Sequence, residues 1–255
     1  MIDFEIIKNI NNGANFYLKL LGDAQHMEYT DNNVYGYIMP KEGEQGVRIV
    51  FNVRLENLSE KEQIEKIAEI KALNMPVWWD LQSSNMLYKL IHGKNKEKIT
   101  GEPPEGEELY MAIFPNEQVD IEPLNKIIIK EVDSENDFAL WAKFVNDVMN
   151  DGYIGIHPQN HYHLCQKSVI NCFSCYKNNT LVAVASIMDN ENISSLEFVA
   201  TDPAHRREGL AKAVCSKAIK NAFDKGSKIV TLRAVNPGTR ELYTSLGFRI
   251  YNYAL

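Results

Sequence analysis

Cysteine is scarce in this chain, with four residues among 255. In a sequence with no recognisable secretory leader, so few thiols read as reduced side chains rather than as a disulfide framework. Long apolar runs are missing too: none approaches the roughly 20 residues that cross a bilayer. The opening stretch, MIDFEIIKNINNGANFYLKLLGDA, breaks its apolar positions with acids and asparagines, and so lacks the core of a signal peptide. The expectation is a folded cytoplasmic protein that does not engage membranes. Positive charge is in short supply. Residues 1–125 carry 12 Lys and Arg against 21 Asp and Glu, and residues 126–255 carry 15 against 13, so that the net −7 divides into −9 and +2. General nucleic-acid binding, which needs a basic surface to displace counterions, is thereby excluded. Two phosphate-binding fingerprints are absent as well: no Gly-Lys-Ser/Thr closes a Walker loop, and no G-x-G-x-x-G opens a dinucleotide fold.

What is present is enough apolar content, 45%, for one large domain or two small ones. The segment PNEQVDIEPLN separates the apolar run LYMAIF from the strand-like KIIIKEV, which places a division near Asn125. Beyond it the periodicities predict a strand at 127–132 and a helix at 134–150 capped by Ser134. A three-strand meander at 170–176, 181–188 and 193–201 follows, then a helix ending at Lys225-Gly226, a strand at 229–235, a helix opened by Asn236-Pro237 and a closing strand at 248–253. The first half shows a fainter strand–helix–strand–helix order in VRIVFNV, a helix opened by the Ser59–Glu62 capping box, MPVWWDL and SSNMLYKLIH. The fold expected is α/β, a mixed and mostly antiparallel sheet flanked by helices, in two tandem domains, 1–125 and 126–255.

One feature runs against the acidic total. TDPAHRREGLAKAV places Arg206, Arg207 and Gly209 at the mouth of a predicted helix. The first amides of a helix are unpaired and carry the positive end of the dipole. A glycine there admits a ligand to the main chain, and guanidiniums add charge-assisted donors. The pattern suits a di- or polyphosphate. Together with the preceding LEFVATDP and the following VNPGTRELYTSLGF, it resembles the acetyl-CoA signature of the GNAT superfamily of N-acetyltransferases, across essentially the whole second half. Thr239 stands where the second motif often has Ala. The first half lacks the signature, so it implies one coenzyme A site and a degenerate GNAT-like copy in residues 1–125.

The resemblance implies acetyl-CoA as acyl donor, held by Arg206, Arg207, Gly209, Leu210 and Ala211 at the pyrophosphate, by Phe198 and Val199 along the pantetheine arm, and by Asn236. Tyr243, before the LGF triplet, is the implied acid for the leaving thiolate. Glu197, a carboxylate in mid-strand, is the candidate base, and the amide of Val199 or its neighbour the candidate oxyanion donor. The segment after the first helix borders the acceptor pocket in this family, so Tyr153, His157 and His161 are expected to line it. Metal binding is not expected: the spacing of His157, His161, His163 and Cys165 fits no zinc pattern. Cys172 and Cys175 fall on opposite faces of a strand, and Cys215 reads as core, which favours direct attack on the donor over an acyl-enzyme. The acceptor is an amine, small molecule or peptide, met by a monomer or homodimer. The acidic first half is suited to drawing in a cationic one. The alternative from another class is a non-catalytic acyl-CoA sensor or docking module.

Overall fold

The structure, a computed structural model, describes residues 4–78, 108–149, 155–234 and 239–251. It opens on helix α1, Phe4–Gly22. Its apolar residues Ile6, Ile7, Ile10, Ala14, Leu18 and Leu21 recur at helical spacing, and all are buried. An antiparallel three-stranded sheet follows, β1 (Met27–Asp31), β2 (Gly36–Pro40) and β3 (Ile49–Phe51). Helix α2, Glu60–Ala72, starts at the expected capping box: the Ser59 Oγ accepts from the Glu62 amide at 3.4 Å, and the Ser59 amide donates to the Glu62 carboxylate at 2.9 Å. Of the strand expected in MPVWWDL, Val77 forms a parallel bridge to Val50. The helix expected in SSNMLYKLIH lies outside the described residues.

The main sheet has seven strands in the order β10-β4-β9-β8-β7-β6-β5. These are β4 (Leu109–Ile113), β5 (Ile127–Glu131), β6 (Ile170–Lys177), β7 (Thr180–Asn190), β8 (Ile193–Thr201), β9 (Ile229–Ala234) and β10 (Arg249–Ile250). Every named pair is antiparallel except β8 with β9. The helices associated with it are α3 (Glu135–Met149), α4 (Pro158–Gln166), α5 (Leu210–Asp224) and α6 (Arg240–Thr244). The Ser134 Oγ accepts from the Asp137 amide at 3.2 Å, as its capping role requires. Gly226, at φ 101°, ends α5, with the Ser227 amide donating back to the Ala222 carbonyl at 3.0 Å. Of the closing strand expected at 248–253, β10 takes up Arg249–Ile250, and residues 252–253 lie outside the described residues.

The division at residue 125 does not separate two sheets. Strand β4, on its N-terminal side, pairs with β9 from Leu109↔Ala234 to Ile113↔Val230 and with β10 on its other edge. All five of its residues are buried, as a central strand with both faces covered demands. Helix α1 also crosses the division and lies against β8 and β9. The close approach needs Gly13: a Cβ there would sit 2.7 Å from the Thr231 Oγ1 and 3.3 Å from the Ser195 Cβ.

Two cores flank the sheet. On one side α5 buries Leu210, Val214, Ala218 and Ala222 against Phe173, Ala185, Leu196 and Leu232. On the other, α1 and α3 bury Leu18, Phe138 and Trp141 with Cys172, Val184 and Phe198. Cys172 and Cys175 belong to opposite cores, as strand alternation predicts.

Candidate active site

Two irregularities in β8 shape the site. Val184 faces Ala200 and Ser186 faces Glu197, so two residues, Phe198 and Val199, oppose the single Ala185. This is a β-bulge, and Phe198 takes a left-handed φ of 51° to form it. Ahead of the bulge, β8 and β9 pair between Ile193–Ser195 and Ile229–Thr231 and no further, so the parallel strands part as the bulge is reached. The bulge also breaks strict alternation. The Phe198 ring joins the α1 and α3 core, 5.3 Å from the Tyr17 ring and 5.5 Å from that of Trp141, while Val199 packs against the α5 core.

A cavity of about 1020 Å³ opens beside the bulge and runs to the start of α5. Val199, Ala200 and Thr201 form one wall, Arg206, Arg207, Gly209, Leu210 and Ala211 the helix mouth, and Tyr243 a further side. Gly209 is the residue before α5 and has φ 80°; Arg207, two residues earlier, has φ 65°. Left-handed residues in such a run turn successive amides toward one point, the geometry of an anion nest. The glycine answers a backbone demand rather than a lack of room, because a Cβ at 209 would meet only the Leu124 side chain, at 3.7 and 3.9 Å. No acid occupies the first turn of α5. Glu208, the acid of the loop itself, is engaged by Lys177 at 2.6 Å and His205 at 3.2 Å. Lys212, which the sequence reading overlooked, lines the same mouth.

Of the expected cofactor contacts, Arg206, Arg207, Gly209, Leu210, Ala211 and Val199 are thus brought together around one cavity. Phe198 is not among its lining residues: its side chain is core. Asn236 and Tyr153 lie outside the described residues.

Tyr243 is buried, with its ring 5.9 Å from that of Phe248. Burial first, then Cys215 and Glu197, holds its phenol well above the usual range, so it stays protonated at neutral pH. Glu197 is half-buried and does not line the cavity described above. It points to the α1 side of β8, where the Ser195 Oγ donates to its carboxylate. Burial pushes its carboxyl up to about 7, against the lowering effects of Ser195 and Arg233 and with a smaller raising effect from Glu108. A carboxyl poised there exchanges a proton readily near neutrality.

The expected acceptor-side histidines lie apart from this cavity. His161 is only 1% exposed; its Nδ1 accepts from the His157 amide at 2.9 Å and its Nε2 lies 3.3 Å from the Leu21 carbonyl. It ties α4 to the end of α1 and is a structural histidine, held neutral to about pH 4 chiefly by burial. The His157 ring packs 5.1 Å from that of His26. Neither lines the cavity; α4 packs against α3 and β6.

Among the described residues no cluster of His, Cys, Asp and Glu is arranged to hold a metal ion, and no helix is long and apolar enough to cross a membrane. The four cysteines are free. Cys215 is buried in α5, which raises its thiol far above the usual range.

Residues 135–248 match the family model described as "Acetyltransferase (GNAT) family". That stretch, with the bulged strand and the cationic helix mouth, is a GNAT domain, and it supports a general acetyltransferase role. No curated protein matches the chain. Among solved structures, a GCN5-related N-acetyltransferase from Kribbella flavida is 14% identical, covering 94% of this chain and 92% of its own, with a TM-score of 0.59. One from Sphaerobacter thermophilus is 13% identical over 87% and 79%, with a TM-score of 0.58. A GCN5-related N-acetyltransferase-like protein from Streptococcus suis is 14% identical over 94% and 96%, at 0.53. At such identities the likeness speaks for the fold. It extends over both halves of the chain.

Proposed function

We propose that the protein transfers an acetyl group from acetyl-CoA to an amine, by direct attack with donor and acceptor bound together. The observation that carries this reading is that a single cavity joins the anion nest at α5 to the buried phenol of Tyr243. The residues present fit the donor. Amides around Gly209 and the side chains of Arg206, Arg207 and Lys212 offer positive partners to a diphosphate, and the β8 edge freed by the bulge offers main-chain groups to an amide-bearing arm. The first turn of α2 instead carries Glu60 and Glu62, which suits no anion, so one coenzyme site serves the chain. We read the first half as a degenerate copy without that site.

When bound, acetyl-CoA supplies an activated carbonyl whose C–S bond breaks as the N–C bond to the acceptor forms. The protein's own groups manage the protons and charge. Glu197, ionised above about pH 7, takes the proton that the acceptor nitrogen must shed, directly or through a water. The Val199 amide or its neighbour, outside the regular ladder at the bulge, donates to the oxygen on which negative charge develops. Tyr243 gives its proton to the departing sulfur and is reprotonated from solvent. The buried Cys215 thiol is unsuited to an acyl-enzyme.

The test is thiol release from acetyl-CoA across a panel of polyamines, aminoglycosides, amino acids and peptides. Turnover with at least one amine, lost in Glu197→Gln, supports the reading. Tight coenzyme binding with no release above hydrolysis for any amine overturns it in favour of a sensor.

A further inference from the structure

The face of the sheet that carries Glu197 also carries a buried ion pair that the chemistry above does not use. Arg233 of β9 is two residues beyond the last β8–β9 pairing, on the strand face of Thr231. Its side chain is 4% exposed. Glu108, which leads into β4, binds it twice: the Arg233 Nε donates to the Oε2 at 3.0 Å and an Nη2 donates to the same oxygen. The Trp78 indole N–H donates to the other Glu108 oxygen at 2.8 Å. The guanidinium lies 4.1 Å from the centre of the Trp78 ring and 4.9 Å from that of Tyr110. Glu108, Trp78 and Tyr110 all precede residue 125.

We propose that Glu108 is a positioning residue for the acceptor side of the site: by holding Arg233 it keeps that cation from capturing Glu197, and so leaves the Glu197 carboxyl able to take the acceptor's proton. The inference rests on the reading of Glu197 as base. Among the described residues, the groups that bear on Glu197 are Ser195 from its own strand, Arg233 from β9, Glu108 beside β4, Tyr17 from α1 and Tyr243 from α6. The two phenols are held protonated by burial, which leaves Arg233 and Glu108 as the charges of opposite effect. Paired, they oppose each other at Glu197. Alone, either one biases it.

A charge cycle tests this on the full chain, without donor or acceptor. Protein labelled with 13C at glutamate Cδ is titrated by NMR, and the Glu197 signal is the one missing from Glu197→Gln. Glu108→Gln should move its midpoint down and Arg233→Gln should move it up, each by roughly one pH unit. The double variant, with no charge left over, should return to the parent value. Should Glu108→Gln not fold, Arg233→Gln and the double variant still give the upward shift and its reversal. A midpoint unmoved in the variants, or moved the same way by both single changes, overturns the proposal, because loss of packing alone has no charge sign. If the cycle holds while Glu197→Gln turns over amine as the parent does, the coupling is real but the base is elsewhere, and Glu108 is not a positioning residue for the reaction. If Glu197→Gln abolishes turnover while the cycle is flat, only the role of Glu108 fails.

Discussion

Gly209→Ala and Gly209→Glu should rank in opposite orders for stability and for coenzyme affinity. With φ 80°, any L side chain at 209 costs about 1–2 kcal/mol in backbone conformation. Nothing is added for crowding, since the nearest atoms to a Cβ are those of Leu124 at 3.7 and 3.9 Å. Gly209→Ala carries that loss alone. Gly209→Glu carries it too, but its carboxylate lies at the positive end of α5 beside Arg206, Arg207 and Lys212, which returns roughly 0.3–1 kcal/mol at low ionic strength. The glutamate variant should therefore unfold at a urea concentration equal to or above that of the alanine variant. For coenzyme A the order reverses. The new carboxylate engages the donors that the diphosphate needs, and losing even one charge-assisted hydrogen bond removes about 1.5–3 kcal/mol. That is about a ten- to hundredfold weaker Kd. Titration calorimetry with coenzyme A beside urea melts reads both quantities. Equal affinities for the two variants would refute the placement of the diphosphate at this helix mouth.

Three other outcomes follow from the same geometry. Tyr243→Phe keeps the buried ring and removes the proton, so kcat should fall by about a hundredfold or more with little change in the KM for acetyl-CoA; steady-state thiol release checks it, and unchanged kcat removes the assigned acid. His161 is neutral when folded, to about pH 4, and charges near 6.5 when unfolded. The unfolded chain thus binds the extra proton below 6.5, and the stability present above that pH should fall by about 2 kcal/mol by pH 5; urea melts at pH 7 and 5 should show this slope in the parent and lack it in His161→Leu. Gly13→Ala presses a methyl into Thr231 and Ser195, which should destabilise by about 1–3 kcal/mol; a thermal melt matching the parent would show that α1 yields without loss.

Much of the second half could be read before any coordinates. Ser134, Lys225-Gly226 and the apolar spacing of α5 are local signals, and local signals fix helix ends. The R-x-x-G-x-A pattern of 206–211 is also local, because an anion nest is made by consecutive amides. Pairings across long distances were not legible. LYMAIF was apparent as an apolar run, yet apolarity does not state that its neighbours are β9 and β10. The helix over Phe4–Gly22 was hidden because the stretch was weighed only as a leader. The bulge at Phe198-Val199 depends on register against β7, which alternation within β8 does not reveal. His157 and His161 were placed by the family resemblance, and their contacts with His26 and with the Leu21 carbonyl, remote in sequence, had no local signal. For the same reason the meeting of Glu108 with Arg233, 125 residues apart, left no trace in either neighbourhood.

The position of β4 in the sheet has a consequence for engineering. A chain severed near residue 125 would leave the later piece missing an interior slat and the earlier piece holding an apolar ribbon with nowhere to lie. The two pieces, produced separately, would have to find each other before either was finished, much as the parts of a split reporter do. Without the first half, the second holds the main sheet minus one of its inner members.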